Sequence, residues 1–145
     1  MSHGWRIVGI ATPFVWLGMV LGISFLETPL KFRAPGITLP LGLGIGRLIF
    51  RALNIVEAGL ATLLTAVLLT SQTDRQSWLV LGAALSIVTV QVGFVRPRLD
   101  RRALLIISGQ APRPSGQHDL YVALEIAKVL VLAALGATLA RGPLT

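Results

Sequence analysis

The chain has 145 residues, is 54% hydrophobic and carries 13 Lys and Arg against 6 Asp and Glu, with no cysteine. That length and apolar content leave room for a few membrane-crossing helices and their turns, and none for a soluble domain beside them. Disulfides, thiolate metal sites, S-palmitoylation and a cysteine nucleophile are excluded outright.

Four apolar stretches follow one another: Ile7–Leu26, with the span reaching to about residue 30, then Leu48–Thr70, Trp78–Val95 and Leu120–Ala140. Each is close to the ~20 helical residues that cross a ~30 Å hydrocarbon layer. The chain is therefore predicted to be all-α, a single domain over residues 1–145 folded as a four-span antiparallel transmembrane bundle. Glu27 and Pro29 follow the first stretch where a cleaved signal would carry small residues, so it reads as a retained span. Pro13 falls in the opening turns of that span, where proline is tolerated. Gly18 and Gly22, Gly82 and Ser86, and Gly136 and Ala140 are each four apart, a close-packing pattern in membranes. Trp5 and Trp78 suit an aromatic belt, while Trp16 lies deep enough to pack inside.

The connection Phe32–Gly46 is apolar yet carries Pro35, Pro40, Gly42, Gly44 and Gly46, which oppose a regular helix. It is expected to lie irregularly in the interface, or to dip back into the bundle under cover of protein. Its glycine spacing is not the dinucleotide fingerprint. Farther on, Leu99–Ser108 is predicted to form a separate short helix on the membrane surface, stopped at Gly109. Residues Pro112 to Gly116 read as a turn, with Ser115 or Asp119 favouring the start of the last span.

A faint repeat relates Ala52-Leu-Asn-Ile-Val-Glu57 to Ala123-Leu-Glu-Ile-Ala-Lys128, and Phe25…Pro29 to Phe94…Pro97. It points to a duplicated helical hairpin with a pseudo-twofold axis along the membrane normal.

Charge is distributed unevenly. One end of an alternating bundle holds Arg6, Arg75 and Arg141, and the other holds Lys31, Arg33, Arg47, Arg51, Arg96, Arg98, Arg101, Arg102 and Arg113. The positive-inside rule places the second set in the cytoplasm and both termini outside, as expected for a bacterial cytoplasmic (inner) membrane. Arg47, Arg51, Arg96, Arg98, Arg101 and Arg102 are expected to touch anionic lipid headgroups, and nucleic acid is excluded as a partner by this distribution. The partners expected are the bilayer, its anionic headgroups, and either a second membrane protein or another copy of the chain.

Ionisable and amide side chains inside the spans mark a site, because a charge at mid-bilayer costs roughly 2.5–3.5 kcal/mol on insertion scales. Glu27, Asn54, Glu57, Gln91, Tyr121, Glu125 and Lys128 all fall at similar depth above the basic end. Arg47, Arg51, Asn54 and Glu57 share one helical face, as do His118, Tyr121, Glu125 and Lys128. Lys128 is expected to pair with Glu57 or Glu125, and a Glu57–Lys128 contact would lock the two hairpins together. Glu27 with Lys31 reads either as an interfacial pair or as part of the site. No catalytic residue, metal or cofactor is called for: His118 and Asp119 diverge on a helix, and no nucleophile or di-metal motif is evident.

The run His118-Asp-Leu-Tyr-Val-Ala-Leu-Glu125-Ile-Ala-Lys128, with Arg96-Pro-Arg-Leu-Asp100 and Phe25-Leu-Glu-Thr-Pro-Leu-Lys-Phe32, resembles a group of small uncharacterised bacterial four-helix integral membrane proteins. The resemblance implies the architecture and brings no substrate, cofactor or catalytic role. The favoured function is a scaffold or accessory subunit with a cytoplasm-facing intramembrane polar site. A small carrier of protons or a small solute is the alternative, and an anionic-lipid-binding protein or a lipid-directed membrane enzyme comes next.

Overall fold

The computed structural model describes residues 2–142. They form four long helices, α1 (His3–Lys31), α2 (Leu39–Thr70), α3 (Arg75–Ile107) and α4 (Gln117–Arg141), with no strand among the described residues. All four are long and apolar enough to cross a membrane, and the fold is an all-α four-helix bundle. At ~1.5 Å per residue α2 and α3 reach almost 50 Å, well beyond a ~30 Å hydrocarbon layer. Both therefore overrun the apolar zone.

Helix α2 begins earlier than its composition suggests. Thr38 caps it, its hydroxyl accepting the Leu41 N–H at 3.3 Å, and Pro40 sits in the first turn, where a missing N–H leaves nothing unpaired. The expected irregular approach through Gly46 is thus corrected to a short connection between Lys31 and Leu39, and the glycines lie inside the helix. Two of them face α1: a Cβ on Gly42 would stand 2.3 Å from the Phe32 ring, and one on Gly46 3.2 Å from Lys31 Nζ. These glycines thin α2 where the end of α1 crosses it.

Proline is absorbed in a second way in α1 and α3. A π-helical segment, Leu21–Glu27, precedes Pro29, and another, Gln91–Val95, precedes Pro97. The wider turn accommodates a residue that lacks an N–H and would crowd the preceding carbonyl in a regular α-helix. The separate surface helix expected at Leu99–Ser108 is therefore the continuation of α3. Its predicted stop holds: Gly109 adopts φ +88°, and the N–H groups of Gly109 and Gln110 bond the carbonyls of Ile106 and Leu105 at 3.1 and 3.0 Å. Helix α4 starts at Gly116 without a side-chain cap, and Asp119 rather than Ser115 supplies the favourable charge to its first turn. At the start of α3, the Ser77 hydroxyl bonds the Asp74 carboxylate at 2.5 Å and holds that carboxyl below its ordinary pKa.

Helix α4 packs on α1 and α3, and α2 packs on α1 and on the basic end of α3, so α2 and α4 face each other across one diagonal. Two apolar layers fill the interior. The larger includes Trp16, Val20, Leu64, Leu81, Leu132 and Leu135, and the smaller, nearer the basic end, consists of Phe50, Leu53, Val95 and Tyr121. At the opposite end Trp5 Nε1 donates to Thr70 Oγ1 at 2.8 Å, tying α1 to α2.

Of the glycines expected to mediate close packing, Gly136 does so and the others do not. A Cβ there would lie 2.6 Å from the Phe14 ring, whereas Gly18, Gly22 and Gly82 meet nothing within 4 Å. Gly136→Leu should displace Phe14 and lower stability in detergent by about 1–3 kcal/mol, the usual range for overpacking. Gly82→Leu should leave the unfolding midpoint unchanged. Equal effects of the two substitutions in a thermal melt would contradict this packing.

Candidate functional site

Between the two apolar layers lies a layer of polar side chains drawn from all four helices. Its centre is Lys128, fully buried at 0% exposure. The ammonium Nζ donates to Glu57 Oε1 at 2.6 Å and to Gln91 Oε1 at 2.9 Å, and stands 2.6 Å from Glu125 Oε1. The ammonium thus makes two hydrogen bonds, to α2 and α3, and an ion pair within α4. Helix α1 supplies the remaining partners. Trp16 Nε1 donates to Glu57 Oε1 at 2.9 Å, and the Ser24 hydroxyl donates to Glu125 Oε2. The Gln91 amide also gives an N–H to Glu125 Oε1 at 2.7 Å. Only the orientation with its oxygen on Lys128 and its nitrogen on Glu125 serves both neighbours.

The reason this layer closes so fully is energetic. Taking an ammonium or a carboxylate out of water costs several kcal/mol, which is recovered only when geometry is good and every donor and acceptor is engaged. Glu57, Gln91 and Glu125 are buried to 1, 3 and 1% exposure, so partners within the protein are obligatory.

Four of the seven residues expected in the site, Glu57, Gln91, Glu125 and Lys128, meet directly. Tyr121 lies one layer toward the basic end, buried and edge-on to Phe50 with ring centroids 5.6 Å apart. Asn54 is a correction: it is half-buried beside Arg51 in a groove between α2 and α3, outside the network. Three residues along a helix turn a side chain about 60° off the face of Glu57, enough to take it out of the core. Glu27 lies outside the network, 3.4 Å from Lys31 with its own side chain 32% exposed. Ser24 and the Trp16 hydrogen bond were not anticipated. The available signals were a serine at the right depth in α1 and the rule that a buried indole N–H takes an acceptor.

Below the network, toward the basic end, a cavity of about 290 Å³ opens among the four helices. Lys31, Arg47, Arg96 and Arg102 reach it, together with the carboxylates of Asp100 and Glu125. Its remaining walls are largely apolar, including Phe25, Phe32, Phe50, Leu99 and Val122. Arg96 is pinned with its guanidinium 4.4 Å from the centre of the Phe50 ring and 5.7 Å from that of Tyr121. Arg102 donates to the Arg113 carbonyl, which folds the connection after α3 back toward the cavity. Of the arginines expected at a headgroup, Arg47, Arg96 and Arg102 line this cavity. Arg98 donates to the Phe94 carbonyl at 2.8 Å, and Arg51 and Arg101 are exposed elsewhere. Among the described residues no cluster of three His, Cys, Asp or Glu side chains is arranged to hold a metal ion.

No protein-family model, curated protein or solved structure matches the chain.

The contacts set the response to substitution. Glu57→Leu or Lys128→Met alone strands a buried charge and should lower stability in detergent by about 3–5 kcal/mol. The double substitution should recover only part of that loss, because Glu125 also loses its ammonium partner. Adding Glu125→Gln should recover more. Strictly additive losses in thermal melts would mean that the three side chains do not share one network.

Proposed function

We propose that this is a multi-pass protein of the bacterial cytoplasmic membrane that binds the anionic headgroup of a lipid in its basic-end cavity. The buried Lys128 layer serves as the scaffold that fixes the cavity walls. The carrying observation is the pairing of four cations with phenylalanine and leucine walls in a single cavity. A soluble anion would use the cations and leave the apolar walls in contact with water, whereas an amphiphile engages both. Phe25 and Phe32 line the cavity and are also exposed, which offers apolar contact to an acyl chain.

The orientation follows from the nine basic residues gathered at this end, which favour the cytoplasmic side and so leave the termini outside. Anionic headgroups of the inner leaflet are then the nearest ligands, attracted by about 1 kcal/mol per basic residue near the surface.

A second reading, a carrier of protons or a small solute, is favoured by Glu125, which both lines the cavity and binds Lys128. Proton flux into proteoliposomes that Glu125→Gln abolishes would establish it in place of the lipid site.

Reporter fusions should read cytoplasmic after Gln110 and exterior at Thr145. Mass spectrometry of the purified protein should find acidic lipid retained by the wild type and depleted in Arg47→Ala and Arg96→Ala. Arg101→Ala, whose side chain lies outside the cavity, should retain it. Unchanged lipid content across the three variants would overturn the assignment.

A further inference from the structure

The cavity contains an anion seat held loosely by one of the chain's own carboxylates. Asp100 stands between two arginines, its Oδ1 3.8 Å from Arg47 Nε and 3.5 Å from Arg96 Nη2. Arg47 Nε and Asp100 Oδ1 are both buried and neither makes a hydrogen bond. Unpaired buried donors and acceptors are uncommon and costly, more so when charged. The layer just above shows that this protein assembles tight ion pairs where it needs them, with Lys128 contacts of 2.6 to 2.9 Å. At Asp100 the two arginine contacts are longer, 3.8 and 3.5 Å to one carboxylate oxygen, and neither is a hydrogen bond.

The charge count around the cavity points the same way. Lys31 is paired with Glu27, Glu125 is already engaged by Lys128, and Arg47, Arg96 and Arg102 are left facing Asp100 alone, so the arginines outnumber the carboxylate free to compensate them. A phosphomonoester carries roughly 1.5–2 negative charges at neutral pH and offers three terminal oxygens in a tetrahedral spread. That spread suits two separated guanidiniums, which bind phosphate through directed N–H pairs. Arg96 needs little reordering to receive it, because the Phe50 and Tyr121 rings fix its plane. Asp100 is free to leave: its side chain is 34% exposed, so it can turn outward into water.

We propose, building on the lipid reading above, that the cavity binds a lipid phosphomonoester between Arg47 and Arg96, and that the headgroup displaces Asp100 from its place beside the two arginines. Asp100 is a built-in competitor: it compensates two arginines and weakens binding of monoanionic lipids, which bring less charge to replace it. The apolar walls make the ligand a lipid rather than a free phosphate ester.

The test uses full-length protein in detergent, with binding read by native mass spectrometry. The probes are dioleoyl phosphatidate, a phosphomonoester, and dioleoyl phosphatidylglycerol, a monoanionic diester, with inorganic phosphate as competitor. Phosphatidate should bind about tenfold more tightly than phosphatidylglycerol, and Arg47→Ala should remove most of that preference. Asp100→Asn should tighten phosphatidate binding several-fold, while inorganic phosphate at millimolar concentration should not displace it. Equal binding of the two lipids would overturn the phosphomonoester assignment and leave an anionic-lipid site standing. Binding of neither would overturn both. Weakened binding in Asp100→Asn, matching Arg47→Ala, would show that Asp100 positions the arginines instead of competing with the ligand. Efficient displacement by inorganic phosphate would assign the seat to a soluble phosphate ester.

Discussion

The architecture depends on one buried ammonium. Helices in a membrane gain little from apolar contact alone, because lipid tails are as good a neighbour for leucine as another helix is. Lys128 changes that balance: its desolvation has to be offset by partners, and those partners have to arrive together. Glu57, Gln91 and Glu125 reach Nζ directly, and Trp16 and Ser24 complete the two carboxylates. Sliding any helix by one residue moves its polar group by ~1.5 Å and turns it by about 100°, which breaks the set. The layer therefore fixes depth and rotation for all four helices, a specificity that the surrounding leucine and valine layers do not supply.

The same layer gives the faint sequence repeat a physical meaning. Aligning Ala52–Glu57 with Ala123–Lys128 makes Glu57 the counterpart of Lys128, and these two residues meet across the diagonal between α2 and α4. Two identical charges at those facing positions would repel, and one opposite pair attracts. On the other diagonal, α1 and α3 each carry a π-helical segment ahead of a proline. Those two segments hold Ser24 and Gln91, the neutral groups that both donate to Glu125. The irregular turns coincide with the layer, as π-helical turns often do with functional positions.

Much of this was legible in the sequence because ionisable residues in apolar runs are rare and have few tolerable placements. Helix number and the all-α class followed from the four apolar runs, and the polar layer from the ionisable residues inside them, with Glu57 and Glu125 as the two candidate partners of Lys128. Helix continuity did not follow, since propensity rules treat Pro40, Pro97 and the glycines of α2 as breakers. Here Pro40 falls in a first turn, Pro97 follows a widened turn, and Gly42 and Gly46 make room for Phe32 and Lys31. Asn54 shows the limit of counting by depth and face. A stripe defined to within a quarter turn admits a residue that packing then excludes.

The two charged layers differ in kind, and the difference bears on the proposed ligand. The Lys128 layer is closed, with no buried polar atom left without a hydrogen-bond partner, while the layer below it leaves Arg47 Nε and Asp100 Oδ1 unpaired around an open volume. Glu125 is the boundary between them, lining the cavity with one carboxylate already held by Lys128, Gln91 and Ser24. Two carboxyl groups surround a single lysine in the upper layer, so that layer offers an anion no unpartnered cation. The arginines attract from below. On the proposed reading a headgroup stops at the level of Arg47 and Arg96 with its acyl chains against the apolar walls, which favours retention at one depth over passage through the bundle.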